Sequence, residues 1–191
     1  MIKDRNNILI INSAEPDERR FVEPIERFLE YQRTAFETRE WRDFLEVKIL
    51  EMHESVIISA SPMGDNDNFN ERILAFQWVK EAAIPVMGIC AGHQFIGHVF
   101  GAKLIRDRES EKGNIPVTIV EDDPVFEGLG PMIETEQQHH DSITLPENFR
   151  LLASSERCRV QSIRHRDMPI YGFQWHVEIS NLSIIGNFIR L

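Results

Sequence analysis

The chain has 191 residues, 42% hydrophobic and 27% charged, with a formal net charge of −10. That is enough for a domain with its own buried core, and the acidic balance argues against nucleic acid or an anionic membrane as the main partner. The two cysteines, Cys90 and Cys158, are far apart and form no CxxC pair, so neither a disulfide framework nor a zinc knuckle is expected.

The opening residues, MIKDRNNILI, lack a basic stretch leading into a long apolar one, and no apolar run approaches the ~18 residues of a membrane span. A single cytoplasmic domain over residues 1–191 is expected. NILIIN (7–12) is a short apolar run ending in polar residues, which suits a buried strand. From Pro16 to about Gln32, Phe21, Val22, Ile25, Phe28, Leu29 and Tyr31 recur at helical spacing. A second strand is expected near Thr34–Thr38 and a short helix near Asp43–Glu51, where FLEVKIL reads either way. SVIISAS (55–61) is again a buried-strand run, followed by the loop SPMGDND. Phe69, Ile73, Phe76 and Val79 give a helical period over 69–83, and Pro85 opens the strand VMGI. Strands alternating with helices predict a parallel sheet with right-handed crossovers.

After Gly101 the rhythm changes. KLIR, IPVTIV, HHDSITL, FRLLASS, RVQSIRH and IYGFQWHVE are short strand-like runs with few helical intervals, and Leu182–Ile189 reads as a closing helix. EDDP (121–124) is expected to cap a loop. There is no repeat, low-complexity tract or linker, so one mixed sheet is expected.

VMGICAGHQFIGHVFG (86–101) places Cys90 between glycines where an apolar run meets a helical pattern. Strand, nucleophile and helix in that order form an elbow. A turn this sharp crowds the residues around its apex, so Gly88 and Gly92 fit where larger side chains clash. Cys90 then lies at a helix N-terminus that favours its thiolate, with the Ala91 amide aimed at an oxyanion beside the sulfur. On these residues alone, a small buried cysteine fits equally well. A nucleophile needs a base, and the base an orienting group. His176 and Glu178 end a strand-like run, and in extended chain residues two apart share a side, which lets the carboxylate reach the imidazole. SASPMG (59–64) follows the third strand at the edge where open parallel sheets build sites, and its small residues suit a second oxyanion donor.

With the loop, the cysteine and His-x-Glu in that order, the chain resembles the class I glutamine amidotransferases. GICAGHQ (88–94) resembles their Gly-x-Cys-x-Gly-x-Gln signature and GFQWHVE (172–178) their Gly-x-Gln-Phe-His-Pro-Glu. VIISASP (56–62) stands where the family has Ser-Gly-Gly-Pro, GHVFGAKLIR follows the elbow, and HHDSITLPENFRLLASSE (139–156) is similar to the family's His-x-Asp segment and the strand after it. The likeness runs from ILIIN to the final helix, and it is strongest to members in which the glutaminase is a free-standing subunit.

The resemblance implies an α/β fold of three layers, with a flavodoxin-like, mostly parallel sheet and an antiparallel extension. It implies that Cys90 attacks the side-chain carboxamide of glutamine and that His176 moves the proton, first as base and then as acid. Glu178 would hold the imidazole, and the Ala91 and Ser61 amides would bind the oxyanion. Gln94 would hold substrate with backbone of the EKGN stretch, at Lys112 and Gly113, and of the His139–Asp141 region. A glutamyl thioester would form and hydrolyse, and ammonia would pass to a separate synthase chain, with no cofactor.

The chain departs from the family pattern at Ala60-Ser61 in place of the loop's double glycine, at Trp175 and Val177 around the histidine, and at Lys112-Gly113 in the substrate strand. These departures keep two alternatives in view: a stand-alone γ-glutamyl hydrolase or peptidase of the same fold, and a non-catalytic regulatory module. The seven histidines show no zinc spacing with cysteine or carboxylate, so no metal is expected. His93 and His98 are expected to pack or face solvent, and Cys158, Trp41 and Trp78 to be structural.

Overall fold

The computed structural model describes residues 7–45, 53–62 and 69–191. The run expected as the first strand is Ile8–Asn12 (β1), and all five of its residues are buried. The first helix, Glu23–Tyr31 (α1), starts later than the periodicity from Pro16 predicts. Pro24 stands in its opening turn, where a missing N–H costs nothing. Arg33, at φ 55°, turns the chain out of the helix, and the second strand follows at Phe36–Glu40 (β2). That is two residues beyond the expected position, because its parallel register against β1 pairs Ile8 with Phe36.

A 3-10 turn, Trp41–Phe44, reaches the start of the helix expected near 43–51, and the rest of that span, from residue 46, lies outside the described residues. Next come Ser55–Ile58 (β3), Phe69–Ala75 (α2), Val86–Ile89 (β4) and Ala91–Val99 (α3). The helix expected over 69–83 breaks after Ala75 and resumes as a 3-10 turn, Gln77–Glu81.

The second half supplies Leu104–Ile105 (β5), Glu111–Ile119 (β6), Met132–His139 (β7), Ser142–Ile143 (β8), Phe149–Ser154 (β9), Ser162–His165 (β10) and Ile170–Phe173 (β11). Helices Val177–Ser180 (α4) and Leu182–Phe188 (α5) close the chain. Among the described residues the main sheet has nine strands in the order β2-β1-β3-β4-β11-β10-β9-β6-β7. It is parallel from β2 to β11 and antiparallel from β11 to β7.

Two cores cover the sheet, one on each face. Ile8 and Ile10 of β1 point into a core with Ile25 and Leu29 of α1 and Ile184 and Phe188 of α5. Leu9 and Ile11 point the other way, into a core with Trp41, Ile73, Phe95 and Ile96. Period-two alternation sends successive apolar side chains to opposite faces, so a strand buried on both sides reads as a continuous apolar run. The architecture is therefore three-layered α/β, flavodoxin-like in its first half with an antiparallel extension. Asp123 accepts a hydrogen bond from the Val125 amide at 3.1 Å, capping the 3-10 turn Pro124–Phe126, and pairs with Arg164 at 2.6 Å.

Candidate active site

The turn from β4 into α3 fits only because two positions lack a side chain. A Cβ on Gly88 would lie 2.5 Å from the carbonyl of Gly92, and one on Gly92 would collide with the Ile58 carbonyl at the end of β3. Cys90, at the apex, has φ 48° and ψ −101°, a conformation that non-glycine residues rarely hold and that costs on the order of 1–3 kcal/mol. Its neighbours hold it there: its amide donates to the Phe173 carbonyl at 2.7 Å, and its carbonyl accepts from the Gln94 amide at 3.0 Å. Ala91 is the first residue of α3, so its amide has no acceptor within the helix.

The imidazole of His176 comes to this sulfur from the far end of β11. Its Nδ1 lies 2.7 Å from Glu178 Oε1, and its other neighbour is the Cys90 side chain. Glu178 does not reach it along extended chain, as the i, i+2 reading supposes. His176 is the N-cap of α4 and Glu178 lies in its first turn, so a bend brings the two together. The His176 amide donates to Glu136 O at 3.0 Å, fixing the bend to β7, and Phe21 stacks on the ring with centroids 5.7 Å apart. Burial opposes the imidazolium, but hydrogen bonds to Cys90 and Glu178 outweigh it and raise the His176 pKa from 6.5 to about 10.

Gln174 completes the wall beside the thiol. Its Nε2 is 3.7 Å from Cys90 Sγ, and its Oε1 accepts from Gln94 Nε2 at 3.2 Å. Gln94 Nε2 also donates to the Asp141 carbonyl at 2.8 Å. Ser61 is buried in the loop after β3, which runs beside β4. That loop is braced by reciprocal bonds: the Ser13 amide donates to Ser59 Oγ at 3.1 Å and Ser13 Oγ to the Ser59 carbonyl at 2.7 Å. The guanidinium of the buried Arg72 lies 3.4 Å from Ser61 Oγ.

Gln174, Ser13 and Arg72 join the site without having been expected from sequence, while Ser59 belongs to the SASPMG loop already singled out. Gln174 lies within the GFQWHVE run, whose pattern marks it, and Ser13 and Arg72 gave no signal because their partners are distant in the chain.

The remaining candidates fall into two sets. Asp141 reaches Gln94 through its backbone carbonyl, while its carboxylate faces Arg106 at 3.7 Å and the Asp107 amide at 3.3 Å. Lys112 and Gly113 pair with Gln138 and Gln137 on β7, Lys112 exposed and Gly113 at φ 88°. The His139 side chain faces the buried Glu111, 3.5 Å away. His93 packs on Gly172, and burial lowers its pKa to about 3; His98 is exposed.

Known proteins share this arrangement of elements. The family model described as glutamine amidotransferase class-I matches residues 19–183. A glutamine-hydrolyzing GMP synthase subunit from Pyrococcus abyssi is 36% identical over 141 residues, 71% of this chain and 74% of that protein. The subunit of the same name from Methanosarcina acetivorans is 35% identical over 148 residues, 75% of this chain and 76% of that one. A crystal structure of the corresponding candidate GMP synthase subunit from Thermoplasma acidophilum superposes with a TM-score of 0.85 at 25% identity, covering 97% of this chain and 93% of that one. A glutamine amidotransferase from Thermotoga maritima shares the fold, with a TM-score of 0.75 at 21% identity over 97% and 81% of the two chains.

Proposed function

The chain belongs to the class I glutamine amidotransferases, and from that premise we propose that it hydrolyses the side-chain amide of glutamine and passes the ammonia to a separate synthase chain. The observation that carries this reading is Cys90, held at positive φ on the elbow against a histidine whose far nitrogen lies 2.7 Å from a buried carboxylate. A side chain kept in a costly conformation with a base beside it is placed for nucleophilic attack.

In the proposed cycle the proton of the Cys90 thiol already rests on His176, whose pKa is raised to about 10, and Sγ attacks the amide carbon of glutamine. The oxygen of the tetrahedral intermediate gathers charge and is held by the Ala91 and Ser61 amides. His176 returns the proton to the leaving nitrogen, the C–N bond breaks and ammonia departs, leaving a γ-glutamyl thioester on Cys90. Water, deprotonated by His176, attacks that thioester, and glutamate and the thiol are restored. Glu178 keeps Nδ1 protonated, so that Nε2 does the transfer in both halves. Gln94, Lys112, Gly113 and the His139–Asp141 backbone are proposed to hold the substrate's other end. No cofactor enters the cycle.

Relatives named as one of the subunits of a glutamine-hydrolyzing GMP synthase support a partner of that kind, a separate synthase chain. Cys90 and Cys158 are both free thiols, which supports a reducing, cytoplasmic setting. No described helix is long and apolar enough to cross a membrane. Residues 1–191 are proposed to act as one domain.

A glutamine-shaped chloroketone tests the reading. It should alkylate Cys90 in peptide mapping, and glutamine should protect the thiol. A γ-glutamyl peptide that protects better than glutamine would shift the substrate to a γ-glutamyl compound, and a thiol that resists the reagent with and without the synthase chain would point to a non-catalytic module.

A further inference from the structure

Away from Cys90, the ends of β6 and β7 and the loop after β9 bring three metal-ligating side chains together inside the protein. Glu111, His139 and Cys158 are all buried, and their ligand atoms lie within 4.8 Å of one another. Sequence spacing hides this group, because its members come from three separate segments. Register explains part of it, since Glu111 and His139 are direct partners across the β6–β7 pair.

The polarity of the cluster is unbalanced. His139 Nδ1 lies 3.1 Å from the Asp141 carbonyl, which accepts and so fixes the proton on Nδ1. His139 Nε2 then faces inward. It has no hydrogen-bond partner, the side chain is fully buried, and Glu111 Oε2 stands 3.5 Å from it. An imidazole nitrogen and a carboxylate oxygen thus face each other with a sulfur beside them, three donors that a cation would draw together. Glu111 is oriented as metal-bound carboxylates are: Gln161 Nε2 donates to Oε2 at 2.6 Å and Ser155 Oγ to Oε1 at 2.7 Å. The Nδ1–H to carbonyl bond is the matching support for a histidine ligand.

We infer that Glu111 Oε2, His139 Nε2 and Cys158 Sγ bind one thiophilic divalent ion of the zinc class. The donor set of one sulfur, one nitrogen and one oxygen suits zinc. Tetrahedral zinc with ordinary bond lengths puts nitrogen and oxygen ligands about 3.3 Å apart, close to the 3.5 Å between His139 and Glu111. On binding, the Cys158 S–H bond breaks, its proton leaves to solvent and an S–Zn bond forms. Carboxylate and thiolate then balance the ion's two charges. The ion pins the β6–β7 edge to the loop carrying Cys158. The Asp141 carbonyl that takes the His139 bond also takes Gln94 Nε2, so the site braces the α3 side of the active site.

The test uses the full chain with Cys90→Ser, so that the active-site thiol cannot bind metal. Equilibrium dialysis against Zn²⁺ should give one ion per chain, with one proton released. Co²⁺ in its place should give the near-ultraviolet band of a cobalt–thiolate bond. Adding Cys158→Ser should remove that band and weaken zinc binding by at least about 100-fold, as should His139→Gln. Circular dichroism checks that each variant is folded. Failure to bind one equivalent in the Cys90→Ser chain, or equal binding with the band intact after Cys158→Ser, overturns the site. If both variants misfold, metal content of the Cys90→Ser chain purified without chelator decides: less than about 0.1 equivalent also overturns it.

Discussion

At the scale of single residues, the proposed cycle turns on a histidine whose pKa is set against burial by its two neighbours. The His176 pKa is raised to about 10, with Cys90 and Glu178 outweighing the opposing effect of burial. A group that gives a proton to departing ammonia must still hold it at working pH, so activity should persist through neutral pH and fall as the pH rises toward 10. Glu178→Gln keeps the shape and removes one of the two groups, beside Cys90, that raise this pKa. The alkaline limb of the pH–rate profile should therefore move to lower pH, with a fall in kcat. A limb that stays in place would mean that Glu178 does not tune His176. His176→Ala removes the proton shuttle itself and should lower kcat by roughly 10²–10⁴-fold, the usual worth of a general acid–base. Steady-state rates in the presence of the synthase chain would show it.

At the scale of elements, the elbow is a steric solution, and it was legible because steric demands leave glycines in sequence. Gly92 has the Ile58 carbonyl where a Cβ would go. Gly92→Ala should destabilise the fold by about 1–3 kcal/mol or force the turn open, seen as a lower midpoint in urea and as lost alkylation of Cys90. An unchanged midpoint with full alkylation would show that the turn has slack the geometry does not allow.

The buried parallel strands were equally legible, since both faces demand apolar residues and leave an uninterrupted run. β7 was not. Its buried positions are Ile133, Thr135, Gln137 and His139, three of them polar, so its inner face carries no hydrophobic alternation. The His176–Glu178 pair was found for the wrong geometric reason: a strand was expected where α4 begins. Sequence also missed the partners that come from across the chain. Gln174 bonds to Gln94, 80 residues away, and Ser13 to Ser59, 46 away. Periodicity reports which way a residue faces within its own element, and says nothing of what stands opposite.

At the scale of the whole molecule, one sheet separates two cores, and the site sits at the ends of its central strands, β4 and β11, where the two halves of the chain meet. β4 supplies Cys90 and the end of β11 leads to His176, and these strands are paired in parallel register, with Gly88 opposite Gly172. Neither core can be lost while the other survives, because each is built on the same central strands. Trp41 lies in one core and Trp175 in the other. Fluorescence of single-tryptophan chains reporting each position should therefore give the same denaturant midpoint, matching circular dichroism. Two separated midpoints would instead divide the chain into independently unfolding parts.

Whether Cys90 is the nucleophile of a glutaminase is decided by glutamate release from glutamine, with the synthase chain of the same organism added, for the wild-type protein beside Cys90→Ser. The wild type should release glutamate and the variant none above background, with both chains folded. Release that survives in Cys90→Ser, or a wild type that releases none with its partner present, would contradict the assignment.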